Sequence, residues 1–342
     1  MPARKESPKS HINTKTTHFT KRNLMQIKTS QDNRAFRALE KIIYYCKTNF
    51  YYLREDKSFF LMKYLARFCL VRDCSRIGVK RLSLPPIQSG TFAIELDHPL
   101  SEVTDCLESD GYYSGLRLNQ AQINAVLDFA YSHPCYANRD SGYKITVKSP
   151  NPKDLGINVG IKYASYLHSQ DMCEVIQVLK RDPIILSIAH QYLGRSPVYM
   201  HSDLLWSFPR PLKDVEKLAA AQVFHCDIND YRSLKFFFYL TDVSQQDGAH
   251  LYIKGTHRHR RLRDQLLGQR LASKADQNII QTYGESNIVT ITGPAGLGFV
   301  GDPYCIHRGS NVGGTRNRLL LQLEFGLYTY KTYYKHKVLK VA

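Results

Sequence analysis

No stretch of this 342-residue sequence approaches the roughly 18 consecutive apolar residues that a membrane-spanning helix requires. The nearest candidate, 58–71, is interrupted by Lys63 and Arg67, whose four-residue spacing suits an amphipathic helix instead. Paired cysteines are also missing: the eight cysteines are scattered and none forms a C-x-x-C pair, which argues against zinc-ribbon or thioredoxin-type chemistry. With no secretory signal either, a reducing cytoplasmic setting is expected. Acidic residues are scarce, 30 against 47 Lys and Arg, for a net charge of +17. Residues 1–100 hold 19 of the basic and 8 of the acidic residues, so +11 of that charge lies in the first third. Such a balance points toward anionic surfaces or ligands. RNP, zinc-finger and helix-turn-helix signatures are absent, however, which argues against nucleic acid as the partner.

What is present begins with organisation. Residues 1–30 read as a basic disordered tail, 31–104 as a basic helical extension and linker, 105–330 as the principal domain and 331–342 as a basic tail. The apolar set Phe36, Leu39, Ile42, Ile43 and Cys46 predicts a helix over 31–47, and 58–71 predicts a second. Such a basic pair could pack on the main domain or lie on an acidic membrane surface. In the domain, 110–118 reads as a strand, and Asn119 caps a helix with an Ile123, Val126, Leu127 and Ala130 stripe. Residues 168–179 read as helical; Asp182-Pro183 starts a further helix, and Gly194 ends it. Residues 196–208 read as a strand, and 263–281 as a polar helix.

The chemistry is concentrated between Ala221 and Asp230. On an extended backbone, side chains two residues apart share a face, so His225 and Asp227 converge while Cys226 points away. With a second histidine from a distant strand, for which His307 is the candidate, they would form a two-histidine, one-carboxylate facial triad that leaves coordination positions open. His201-Ser202-Asp203 has the same spacing and is a decoy. What distinguishes His225 is the sequence that follows: a buried strand over 235–243, a polar turn over 244–248 and a strand over 249–253, together read as a hairpin. Glycines 293, 296, 298 and 301 crowd the approach to His307. On the strand over 317–328, Arg318, Leu320, Gln322 and Glu324 share one face. An inward arginine there needs an anion. The cationic run 257–263 reads either as a solvated loop or as a holder of substrate carboxylate or phosphate, and Cys226 and Cys305 as small side chains on far faces.

In order and spacing, Phe224-His-Cys-Asp227, Leu234 to Val243 and Asp247-Gly-Ala-His-Leu-Tyr-Ile-Lys-Gly-Thr-His-Arg258 resemble the first metal motif, hairpin and Gly-Ser-His turn of the phytanoyl-CoA dioxygenase-like branch of Fe(II)/2-oxoglutarate oxygenases. Thr256 stands where the family has serine. Cys305-Ile-His307-Arg-Gly309 and Arg316-Asn-Arg318 are similar to its distal histidine and the arginine eleven residues later, with Gly309 where several relatives carry serine. The resemblance spans 105–328. It implies a mainly β fold with flanking helices, built on a double-stranded β-helix (jelly-roll, cupin-like) core. It implies Fe(II) held by His225, Asp227 and His307, with 2-oxoglutarate held by Arg318 in preference to Arg316. It implies O2-dependent hydroxylation of a small molecule with release of succinate and CO2, and the retained carboxylate disfavours halogenation; the basic run 258–263 tilts the expected substrate toward an anionic molecule, with a lipid-like one also open. A binding module that has lost turnover and a zinc hydrolase are the competing readings, and substrate and oligomeric state stay open.

Overall fold

The computed structural model describes residues 45–75, 93–140, 142–149, 161–167, 169–209, 221–310, 312–314 and 316–331, with 39, 43 and 217 as isolated positions. The tails, most of the 31–47 helix and the 78–92 part of the linker lie outside these. The chain divides into two compact units, Met1–Lys57 and Ser58–Ala342. In the first, 45–55 is helical. The second unit is the larger.

It opens with helices α1 (Lys57–Leu65) and α2 (Cys69–Cys74), so the single helix expected over 58–71 is broken in two. At the break the chain is tied to 265–266: the Arg67 guanidinium donates to the Leu266 carbonyl and Gln265 Oε1 accepts from Cys69 N. Short strand β1 (Glu95–Leu96) precedes helix α3 (Leu100–Ser109), strand β2 (Tyr112–Arg117) and helix α4 (Gln120–Ser132). The α4 start is a full capping box: Asn119 accepts from Gln122 N and the Gln122 side chain accepts from Asn119 N. Strands β3 (Cys135–Ala137), β4 (Lys144–Ile145) and β5 (Tyr163–Ser165) lead to helices α5 (Glu174–Leu179) and α6 (Pro183–Leu193). The helix expected over 168–179 is a 3-10 turn, Ser169–Met172, and then α5, restarted at Cys173. Helix α6 has the expected ends, Asp182 accepting from Ile184 and Ile185 N, and Gly194 left-handed at φ 79°.

From β6 (Val198–Ser207) onward the chain alternates between two sheets. Strands β7 (Ser233–Tyr239), β10 (Leu297–Gly301) and β12 (Arg318–Gly326) enter the larger sheet, in the order β1-β2-β10-β7-β12-β6-β5-β3-β4. Strands β8 (His250–Ile253), β9 (Ile288–Ile291) and β11 (His307–Gly309) form the smaller, ordered β11-β8-β9. A bridge from His225 to His307 adds the 225 segment to the smaller sheet's edge. Every pairing is antiparallel, and the alternation makes a double-stranded β-helix. Helices α7 (Leu262–Leu267) and α8 (Asp276–Tyr283) flank it. They replace the continuous helix expected over 263–281: the first ends at Gly268, at φ 54°, and a 3-10 helix, Gly268–Ser273, follows before α8, whose Tyr283 Oη donates to buried Asp264 at 2.7 Å.

The expected hairpin is overturned. β7 and β8 are not a hairpin: β7 pairs with β10 and β12, while β8 pairs with β9 and β11. The 244–248 turn carries the chain from one sheet to the other, pinned by Asp247, whose carboxylate accepts from the Ser244 N–H and hydroxyl while its own N–H donates to the Ser244 carbonyl. Side-chain parity then separates two cores. Phe236, Phe238, Leu319, Leu321, Leu323 and Trp206 pack outward against α3 to α6, whereas Phe237, Tyr239, Phe299 and Leu320 fill the space between the sheets. The inward set shares its face with Arg318, and this positions the site. No helix among the described residues is long and apolar enough to cross a membrane.

Candidate metal centre

His225, Asp227 and His307 meet at one end of the space between the sheets, each offering a ligand atom within 4.8 Å of the others. Among the described residues this is the one such group of three. The segment carrying His225 and Asp227 is not a regular strand, as the sequence suggested, but a single antiparallel bridge. His225 N donates to His307 O at 3.0 Å, His307 N returns the bond to His225 O at 2.9 Å, and Asp227 N donates to Pro303 O at 2.8 Å. The two histidines therefore face each other by backbone pairing, with rings 4.3 Å apart.

Both imidazoles are oriented in the same way. His225 Nδ1 bonds the Val223 carbonyl at 2.9 Å and His307 Nδ1 bonds the Cys305 carbonyl at 2.7 Å. A carbonyl only accepts, so each Nδ1 carries the proton and each Nε2 lone pair is left for a ligand. Both Nε2 atoms turn toward Asp227: His225 Nε2 is 4.0 Å from Oδ1 and His307 Nε2 is 4.0 Å from Oδ2. Burial, then the neighbouring His225, push the His307 pKa down to about 3, so it is a neutral donor. Burial alone would raise the Asp227 pKa, but Lys235 and the two imidazoles overcome it and hold the carboxyl well below its usual range. Two imidazole Nε2 atoms and a carboxylate, gathered within 4.8 Å of one another, match the donor set of a divalent ion.

The turn before His307 is built for rigidity. Thr256 donates to Ile253 O at 2.7 Å and accepts from Ile306 N at 2.8 Å, which ties β8's end to the residue preceding the ligand. Asp302 is fully engaged by Arg72 at 2.7 Å and Tyr192 Oη at 2.7 Å. Thus α2, which the sequence leaves in the extension, anchors this turn. In the cationic run, His257 and Arg260 are buried instead of solvated. Arg260 donates to the Tyr304 carbonyl and to Cys226 Sγ, and its guanidinium lies 3.8 Å over the Tyr304 ring centroid. Cys226 and Cys305 are buried free thiols.

Arg318 is 7% exposed at the start of β12, between the sheets. It donates to the Gly248 carbonyl and, at 2.9 Å, to Ser207 Oγ; its Nε has no partner, and no carboxylate among the described residues pairs with it. Burial pulls its pKa down. Gly248 makes room for it: at φ +86° this position suits glycine, and a Cβ would stand 3.2 Å from Arg318 Nη1. Arg316 shares its parity but is exposed and lies 3.7 Å from Asp242. The decoy pair is likewise engaged elsewhere. Asp203 accepts from Arg139 at 2.7 Å and Ser165 Oγ at 2.5 Å, and His201 lies 3.4 Å from Glu324.

Three inward residues carry polar atoms to which the sequence reading gave no role: Lys235, His250 and Tyr252. Lys235 Nζ is 2.5 Å from Asp227 Oδ2. His250 Nε2 and Tyr252 Oη are buried without partners, and the His250 ring stacks 5.4 Å from that of His307. The signal for Lys235 was available, since one charge in the run 234–240 shares parity with Phe237 and so must be buried.

No protein-family model matches this sequence, and none of the curated proteins does. Among solved structures it is similar to SnoN, a non-heme alpha ketoglutarate dependent epimerase from nogalamycin biosynthesis, at 15% identity and TM-score 0.48 over 66% of this chain and 82% of that one. It is similar to HygX from Streptomyces hygroscopicus, with nickel and 2-oxoglutarate bound, at 13% identity and TM-score 0.44, covering 66% and 86%. EctD from S. alaskensis, with bound Fe, gives 15% identity and TM-score 0.42, covering 72% and 86%. At these values the likeness assigns nothing by itself; the donor set and the unpaired arginine on one inward face support the functional reading.

Proposed function

We propose that this chain is an Fe(II)/2-oxoglutarate-dependent dioxygenase that hydroxylates a small-molecule substrate. The observation that carries the reading is Arg318, a buried cation with no anionic partner among the described residues, in the same barrel as a two-histidine, one-carboxylate cluster. A metal-binding module would explain the cluster but not the arginine. Zinc hydrolysis would require a base beside the metal, and Asp227, itself a proposed ligand, is the carboxylate closest to both imidazoles.

His225 Nε2, His307 Nε2 and an Asp227 oxygen would hold Fe(II) on one side, leaving the other side open. Arg318 would take the far carboxylate of 2-oxoglutarate, replacing the missing anion with charge-assisted hydrogen bonds. Phe237, Tyr239, Phe299 and Leu320, buried between the sheets, would keep water from the bound groups. When bound, iron and 2-oxoglutarate together reduce O2, yielding succinate, CO2 and a hydroxylated substrate C–H bond. Gln322 follows Arg318 along the same face of its strand, at the same parity, and offers its amide to a polar substrate.

The test is anaerobic loading with Fe(II) and then 2-oxoglutarate. A visible metal-to-ligand charge-transfer band is expected, followed by succinate when O2 is admitted. A protein with iron in the site but neither band nor succinate would be a binding module, and Zn(II)-dependent hydrolysis would identify a hydrolase.

A further inference from the structure

The strand that runs beside the metal centre contains one charge. Strand β7 is buried along its whole length, and Lys235 in it is 8% exposed. Its parity with Phe237 and Tyr239 sends the side chain between the sheets, and register sets it across from Glu324 on β12 and Gly301 on β10. Gly301 leaves no side chain in that direction; a Cβ there would meet the Tyr252 hydroxyl at 2.6 Å. A buried ammonium needs an anion. The cross-strand anion is Glu324, yet Lys235 Nζ is 3.8 Å from Glu324 Oε2 and only 2.5 Å from Asp227 Oδ2.

Resting on the metal-centre reading above, we propose that Lys235 is a positioning residue for the metal: it holds Asp227 through Oδ2 and thereby presents Oδ1 to the ion beside the two imidazoles. Among the described residues, Lys235 is the one hydrogen-bond donor to the Asp227 carboxylate. Without it, the carboxylate is free to turn about its own side-chain torsions, and a ligand that must be ordered on binding binds more weakly. A cation next to a metal would ordinarily repel it. Glu324 removes that objection: it is 1% exposed and held by Asn229 Nδ2 at 2.9 Å and Ser233 Oγ at 3.0 Å, so its charge is fixed beside the ammonium and offsets it. Lys235 can then order the ligand at little electrostatic cost. Glu324 holds Lys235, and Lys235 holds Asp227.

The experiment is equilibrium titration of the full-length apo-protein with Co(II), an oxygen-insensitive probe of the Fe(II) site, followed by its d–d absorption. Lys235→Met and Lys235→Gln are expected to weaken Co(II) binding by about 10- to 100-fold, the usual cost of losing a ligand's supporting contact. Lys235→Arg should restore affinity to within a few-fold. Thermal unfolding of each apo-variant reports folding separately. If the two neutral variants do not fold, Glu324→Gln decides: leaving the ammonium unbalanced should weaken Co(II) binding, and unchanged or tighter binding overturns the role. Co(II) bound as tightly, or more tightly, by folded Lys235→Met also overturns it, since repulsion would then outweigh ordering. Wild-type protein that takes up no Co(II) overturns the metal centre itself and this role with it; wild type and all variants binding alike overturns only the role of Lys235.

Discussion

Replacing Arg318 with methionine separates cosubstrate binding from metal binding and from folding. The side chain is 7% exposed, makes two hydrogen bonds, and leaves Nε unpartnered. In the free protein Arg318→Met loses those two bonds, about 1 kcal/mol each, but also removes a desolvated charge that no carboxylate balances. The two effects oppose each other, so the free protein should stay within about 2 kcal/mol of wild type by urea unfolding. In the complex the effects add. Losing one partner of a buried, hydrogen-bonded charge pair costs about 2–5 kcal/mol. At about 1.4 kcal/mol per decade, the Kd for 2-oxoglutarate should rise about 30- to 4,000-fold. The assay is titration of the anaerobic Fe(II) protein by the charge-transfer band, with calorimetry where the band is lost. Pyruvate is the control, because it keeps the chelating 2-oxo acid and lacks the far carboxylate. Its affinity should be nearly equal in wild type and variant, as should affinity for Co(II). Equal losses for pyruvate and 2-oxoglutarate would refute the assignment of Arg318 to the far carboxylate, and so would an unaffected Arg318→Met beside a defective Arg316→Ala.

Asp227→Ala should abolish Co(II) uptake in a folded protein, while Asp203→Ala should keep the metal; the reverse pattern would move the site to the decoy. Gly248→Ala should weaken 2-oxoglutarate binding several-fold and lower the thermal midpoint, because the added Cβ meets Val312 at 2.8 Å and Arg318 Nη1 at 3.2 Å at a φ of +86°; unchanged affinity would show that Arg318 has slack. Arg72→Met should destabilise by about 3–5 kcal/mol, since it leaves Asp302 charged and unpaired in the interior. Adding Asn at 302 should recover part of that loss in a double-mutant cycle, which urea unfolding would measure. Arg72 overcomes burial and draws the Asp302 carboxyl down to about 2, below its unfolded value near 3.9. Its contribution, about 2 kcal/mol, is therefore present above about pH 4 and lost as pH falls toward 2. An Asp302→Asn variant should lack that part of the acid dependence.

The local signals in this sequence were strong where chemistry is local. Asn119 with Gln122, and Asp182-Pro183 with Gly194, delimit their helices because caps act on the nearest backbone groups. The spacing of His225 and Asp227 and the inward parity of Arg318 were likewise legible, since a period of two needs only an extended chain. What the sequence could not decide was which sheet each strand joins. The strands at 235–243 and 249–253 look like a hairpin because hydrophobic alternation with a polar turn between is the same whether the chain folds back or crosses to the other sheet. Only the packing of two sheets, with Tyr239 and Phe299 filling the space between them, selects the crossing. Glu324 was read as inward, but not as a partner of Lys235 and, through it, of the metal ligand. That follows from cross-strand register, which brings residues 89 positions apart face to face (324 − 235). The same holds for Arg72 and Asp302: a buried charge announces that it needs a partner, and only the tertiary fold says which one it finds.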